Sequence, residues 1–184
     1  MANEVTEKQI EQWKVEHQAV YELPVGDKKG YLRQPKMTDY KIGFKAMLNG
    51  GDIAFSEAML RALWLGGDKD ILDEDAYFIP AKNQIKDFLD YEDAEISALK
   101  NGQSEITIDG YKCIVRFITR DDLKRAESEN PSNKTFVTQE KLFDKICVFK
   151  DEVFTDKNNA SIRFPLYKAI ESLQNKKYAL LKKL

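Results

Sequence analysis

Apolar positions recur along the chain in two rhythms, one of period two and one helical, and these rhythms predict its elements. Ile10 and Trp13, with His17 one turn further, mark a short helix, and Thr6-Glu7-Lys8-Gln9 before it has the capping-box pattern. Val20 to Val25 reads as a strand and Gly26 to Gly30 as a turn. Tyr31-Leu32-Arg33 reads as the return strand, ended by Pro35 because proline has no N–H to give a ladder. Tyr40, Phe44, Met47 and Leu48 then follow helical spacing until Asn49-Gly50-Gly51. A second helix, with Phe55, Met59, Leu60, Leu63 and Trp64 on its apolar face, runs to Gly66-Gly67, where a left-handed glycine is expected. An acidic loop, Asp68 to Asp75, leads through Tyr77-Phe78-Ile79-Pro80 to a long helix. That helix shows Ile85, Phe88, Leu89, Ile96 and Leu99 and closes near Asn101-Gly102.

The rest of the chain repeats the plan. Ile106-Thr107-Ile108, then Asp109-Gly110, then Tyr111 to Ile118 is the clearest hairpin, since Asp-Gly suits a tight primed turn. Thr119 caps a short helix with Leu123 and Ala126, broken at Asn130-Pro131-Ser132-Asn133. Another helix shows Leu142, Phe143, Ile146 and Cys147. The last takes Pro165 as its first residue and shows Leu166, Ile170, Leu173, Leu180, Leu181 and Leu184.

The two passes align. Gly30 to Lys41 matches Cys113 to Lys124 without a gap at a shift of about 83, placing Arg33 on Arg116 and Asp39 on Asp122. One slip later Leu60 falls on Leu142 and Trp64 on Ile146; two insertions put Pro80 on Pro165 and Ile85 on Ile170. The expectation is an α+β chain of two small units, each a β-hairpin followed by a three-helix bundle. Residues 1–102 form the first, with an added N-terminal helix, and residues 103–184 the second.

Composition narrows the class. The 184 residues are 42% apolar and 33% charged, enough to bury a core and keep a polar surface. With 29 basic and 31 acidic residues the net charge is −2, which gives no reason to expect a nucleic-acid binder as a whole. The halves differ: residues 1–100 carry 13 basic and 19 acidic residues, residues 101–184 carry 16 and 12. No apolar run approaches a membrane span, and the polar start MANEVTEKQIEQW is no signal peptide. Cys113 and Cys147 sit among apolar neighbours, as buried thiols in a reducing compartment do.

The candidate chemistry is thin. His17 is the one histidine, too few for a triad or, with two distant cysteines, for a zinc site. Asp68 to Asp75 fails the calcium-loop pattern, with Leu72 in the fifth position and Asp73 where a glycine is needed. The Gly-Gly pairs lack the Lys-Ser/Thr of a phosphate loop. Lys176-Lys177 and Lys182-Lys183 flank leucines as on the wet face of an amphipathic helix. The reading is a protein without catalytic, cofactor-binding or metal-binding residues, made for binding or assembly.

Ile10-Glu11-Gln12-Trp13-Lys14, then Val20 to Val25, then Tyr31-Leu32-Arg33-Gln34-Pro35 resembles the opening of tail-assembly chaperone-type proteins of tailed bacteriophages. In those proteins a short hairpin ends in Leu-Arg-x-Pro before a small helical bundle. Leu63-Trp64-Leu65-Gly66-Gly67-Asp68 is similar to the end of their second bundle helix. The resemblance covers about residues 7–100; in the second half Phe117-Ile118 replaces Gln34-Pro35 and Phe149-Lys150-Asp151 replaces Gly-Gly-Asp. It implies a non-enzymatic helper in the host cytoplasm that coats apolar helical segments of a tape-measure protein. Phe44, Met59, Trp64, Tyr77 and Phe78 would form its protein-binding groove, with Met37 and Met47 adding adaptable surface. Two other classes stand beside it. One is a virion component of neck, tail or packaged type, able to assemble with copies of itself. The other is a small regulator that binds nucleic acid through the basic second half.

Overall fold

Two hairpins form, each followed by helices, and they gain strands that the apolar pattern does not announce, one in the first sheet and two in the second. The computed structural model describes residues 5–17, 19–134 and 136–175, so the lysine- and leucine-rich run from Lys176 to Leu184 lies outside the described residues. The chain is mixed α+β, with seven α-helices among those residues and two antiparallel sheets. It divides into two units, Met1–Asp90 and Tyr91–Leu184.

In the first unit α1 (Glu7–His17) is capped as its sequence suggests: the Gln9 N–H donates to Thr6 Oγ1 at 3.3 Å and the Thr6 N–H to Gln9 Oε1 at 2.9 Å. Strands β1 (Val20–Val25) and β2 (Lys28–Arg33) pair with Leu23 opposite Gly30 and Val25 opposite Lys28. Leu23, Val25 and Leu32 face the core. Helix α2 (Met37–Leu63) carries both expected helices, bent at Gly51, whose φ of 66° and ψ of −157° only glycine adopts freely. The second arm ends earlier than its spacing implies. Trp64 leaves the helix and opens β3 (Trp64–Gly67), which joins β2 in the order β1-β2-β3. Gly66-Gly67 is therefore strand, not a helix stop. After α3 (Asp70–Asp73), α4 (Asp75–Phe88) takes in Tyr77 to Pro80, so those residues are helix rather than loop. Its apolar stripe buries Ala81 and Ile85.

That last helix stops well short of Leu99. Ile96 lies in β4 (Glu95–Ala98), paired with β5 (Ser104–Ile108). The helical spacing of Ile96 and Leu99 is thus accidental, and the expected boundary at 102 falls inside the second unit. Strands β5 and β6 (Tyr111–Val115) form the Asp109-Gly110 hairpin, and the sheet order is β4-β5-β6-β7. Helices α5 (Arg120–Ser128) and α6 (Val137–Ile146) follow, then β7 (Cys147–Lys150), a 3₁₀ turn over Glu152–Thr155 and α7 (Ala160–Gln174). Cys147 opens the strand rather than continuing the helix. Pro165 is the sixth residue of α7, not its first, just as Pro80 is the sixth of α4.

The two units share one internal geometry at an unbroken shift of 83 from the hairpins to the third strand. Gly30 pairs with Gly67 and Leu32 with Trp64; Cys113 pairs with Lys150 and Val115 with Cys147, each ladder with a register shift at the same step. Asp68 N donates to Lys29 O at 2.9 Å, and Asp151 N to Lys112 O at 3.0 Å. No slip is needed in the middle: Leu60 corresponds to Phe143 and Trp64 to Cys147, and the buried triad Met59, Leu60, Leu63 to Leu142, Phe143, Ile146. The shift widens only before the last helix, where Ile85 and Ile170 are both buried.

Candidate interaction surface

The end of β2 is tied to both ends of α2 by one side chain. Arg33 donates from Nη1 to Asp39 Oδ2 at 2.7 Å and from Nη2 to Asp39 Oδ1 at 2.8 Å, and Nη2 also reaches Ala62 O at 2.9 Å. The Asp39 carboxylate accepts in addition from the Lys36 N–H at 2.8 Å. This fork fixes the Leu32-Arg33-Gln34-Pro35 corner and so sets the direction of the helical arms.

The five expected binding residues fall into three neighbourhoods rather than one groove. Phe44 is half-buried between the arms of α2, with its ring centroid 5.2 Å from that of Phe55. Met59, opposite Gly43, has an exposure of 0%. Met59 is therefore core and not a surface residue; Gly43 opposite it leaves room for its sulfur and the Phe55 ring, which would lie 2.9 and 2.8 Å from an added Cβ. Trp64 is half-buried and covers Gly30, where an added Cβ would stand 2.4 Å from the indole. Tyr77 and Phe78 are half-buried on α4. The Tyr77 hydroxyl donates to Asp27 Oδ1 at 3.1 Å, and that bond raises its pKa. Tyr77 also lines an open cavity of about 290 Å³ with Pro24, Val25, Ala76, Pro80 and Gln84. Met37 is buried at 3%, whereas Met47 is exposed.

Three carboxylates of the acidic stretch, those of Asp68, Asp70 and Asp73, are paired within the unit. Lys28 Nζ lies 2.9 Å from Asp68 Oδ2 and 2.5 Å from Asp70 Oδ2, and these bonds hold the ammonium well above its ordinary pKa. Arg61 reaches Asp73 at 3.0 Å. Among the described residues no three His, Cys, Asp or Glu side chains gather as a metal ion would need. Neither is any described helix long and apolar enough to cross a membrane. His17 sits half-buried beside Glu16, 3.8 Å away. Both cysteines are free; burial pushes the Cys113 thiol up to about 12 and raises Cys147 as well.

The surface that sequence reasoning missed is mostly aliphatic. Leu48 is 87% exposed and Ile53 61%, on either side of the Gly51 bend. Ile79 on α4 and Val148 and Phe149 on β7 are exposed too. Leu48 was visible as the last apolar position before a glycine pair, but its helical spacing marked it as core. Compared with family models, curated proteins and solved structures, the chain matches none.

Proposed function

We propose that this chain is a non-enzymatic, phage tail-assembly chaperone-like protein of the host cytoplasm that binds apolar helical segments of a tape-measure protein. In this reading each hairpin with its helices is one copy of a duplicated module. The observation that carries it is the unspent apolar surface of the first unit. Its core consumes Met59, Leu60, Leu63 and Ile85, yet Phe44, Trp64, Tyr77 and Phe78 stay half-buried and Leu48, Ile53 and Ile79 stay exposed. A surface of that kind, built from aliphatic and aromatic side chains, suits a partner that would otherwise aggregate. The Leu32-Arg33-x-Pro35 corner that carries the resemblance is also the corner that the Asp39 fork fixes.

The test is co-expression with a phage tape-measure protein. The chain is expected to hold that protein in solution and to elute with it, and to be missing from purified virions. A tape-measure protein that is equally soluble alone would overturn the reading. A second reading, a virion structural component, is favoured by β7, an edge strand whose Val148 and Phe149 are 58% and 51% exposed. Mass spectrometry of purified particles separates the two.

A further inference from the structure

We infer that the bent tip of α2 docks an amphipathic helix whose apolar stripe is flanked by carboxylates, an inference that rests on the chaperone-like reading and names the chemistry of its partner. The apolar face that buries Tyr40 and Gly43 on the first arm, and Ser56, Met59, Leu60 and Leu63 on the second, does not stop where the core stops. It continues to Met47, Leu48 and Ile53, exposed by 38%, 87% and 61%. Such an overhang is a ready seat for a helix laid across it.

Charge selects the helix. Lys41, Lys45 and Leu48 lie at i, i+4 and i+7, on one side of the first arm, and all three are exposed. Neither ammonium group has a carboxylate partner among the described residues. The first arm has one acid, Asp39, and Arg33 holds it. On the second arm Glu57 is paired with Arg61, and Asp52, exposed at the bend, offsets one of the two lysines, so the tip keeps a net positive charge. A visiting helix therefore meets apolar surface bordered by two lysines, which attract Asp or Glu and repel Lys or Arg.

The second unit shows the same place closed. At the shift of 83, Met47, Leu48 and Ile53 become Asn130, Pro131 and Phe136. Asn130 is 7% exposed, accepts from Lys134 N at 2.9 Å and donates to Lys134 O and to Thr138 Oγ1. Phe136 stacks on Tyr167 with ring centroids 5.7 Å apart. Polar bonds hold Asn130 and a core contact holds Phe136, which leaves Pro131 alone exposed, so the docking tip belongs to the first unit.

The experiment titrates the full chain into two labelled synthetic helices, one with a leucine stripe flanked by Glu and one with the same stripe flanked by Lys, and reads fluorescence anisotropy at two salt concentrations. The Glu helix is expected to bind at least about tenfold more tightly, with the advantage shrinking in salt. Leu48→Ser with Ile53→Ser should weaken it about tenfold. Lys41→Glu with Lys45→Glu should reverse the preference between helices, and Phe149→Ser should change nothing. All these positions are exposed, and circular dichroism checks the fold of each variant. Equal binding of both helices, or full affinity in the Leu48/Ile53 variant, overturns the inference. So does a concentration-dependent dimer that the Leu48/Ile53 variant abolishes, since a second copy would then own the tip. If the Glu helix binds at the tip but the tape-measure protein does not bind, the chaperone reading fails and the docking site stands. If the tape-measure protein binds regardless of these variants, the reverse holds.

Discussion

Arg116 grips Asp122 through two parallel N–H donors at 2.7 and 2.8 Å, the same two distances at which Arg33 grips Asp39. Each arginine also donates to the carbonyl of the residue that follows it and to one near the end of the second helical arm, Lys145 O at 3.1 Å and Ala62 O at 2.9 Å. One planar guanidinium thus joins the end of a strand, the start of one helix and the end of another. A lysine, with a single point charge, has no comparable fork.

The second of these forks makes stability depend on acid. Hydrogen bonds from Arg116 and Thr119 hold the Asp122 carboxyl far below its ordinary value. A depressed folded pKa gives stability that is present above the unfolded pKa, about 3.9, and is lost as pH falls below it. The denaturant midpoint should therefore drop as pH is lowered from about 5. Asp122→Asn should cost about 2 kcal/mol at neutral pH and flatten that acid limb.

Gly67 is the next test. Its φ is 113°, and an added Cβ would stand 2.3 Å from Lys29 O, a backbone atom with nowhere to go. Gly67→Ala should destabilise by about 2 kcal/mol in urea unfolding. Lys150, its exposed counterpart in the other sheet, should tolerate Lys150→Ala within about 0.5 kcal/mol.

The two thiols should differ in the folded chain. Cys113 is fully buried, and burial pushes its thiol up to about 12, so almost no thiolate exists at pH 8. Alkylation followed by mass spectrometry should label Cys147 slowly and Cys113 only after denaturant is added.

Arg163 is wholly buried, its guanidinium 5.5 Å from the Phe143 ring, and it donates to Phe154 O at 2.6 Å and Asp156 O at 3.2 Å. Arg163→Ala should cost about 3 kcal/mol, because it opens a cavity and strands two carbonyls. Thermal unfolding measures it.

The hairpins were legible because turn chemistry and alternation agreed: Asp109-Gly110 supplies the tight turn, while Cys113 and Val115 face inward. The forks were legible only as an Arg and an Asp that recur six residues apart; the spacing shows the recurrence and not the pairing. The third strands were not legible. Trp64 and Cys147 continue the helical spacing of the residues before them, and four residues are too few for alternation to show. Ile96 and Leu99 misled for a related reason, since two apolar residues three apart fit a helix as well as a strand end. The candidate surface was legible only in part. Apolar spacing identifies a face but not where the core beneath it ends, so it ranked Met59 with Phe44 and passed over Leu48 and Ile53.

The third strand also sets an order in time. During synthesis β1 and β2 can close as soon as Arg33 has emerged, because their turn is local. Gly67 can find Gly30 only after the whole of α2 has been made and folded back. Until then one edge of β2 stands open in the nascent chain, and a ribosome pausing between Arg33 and Trp64 would hold a half-built sheet ready to pair with whatever strand came near.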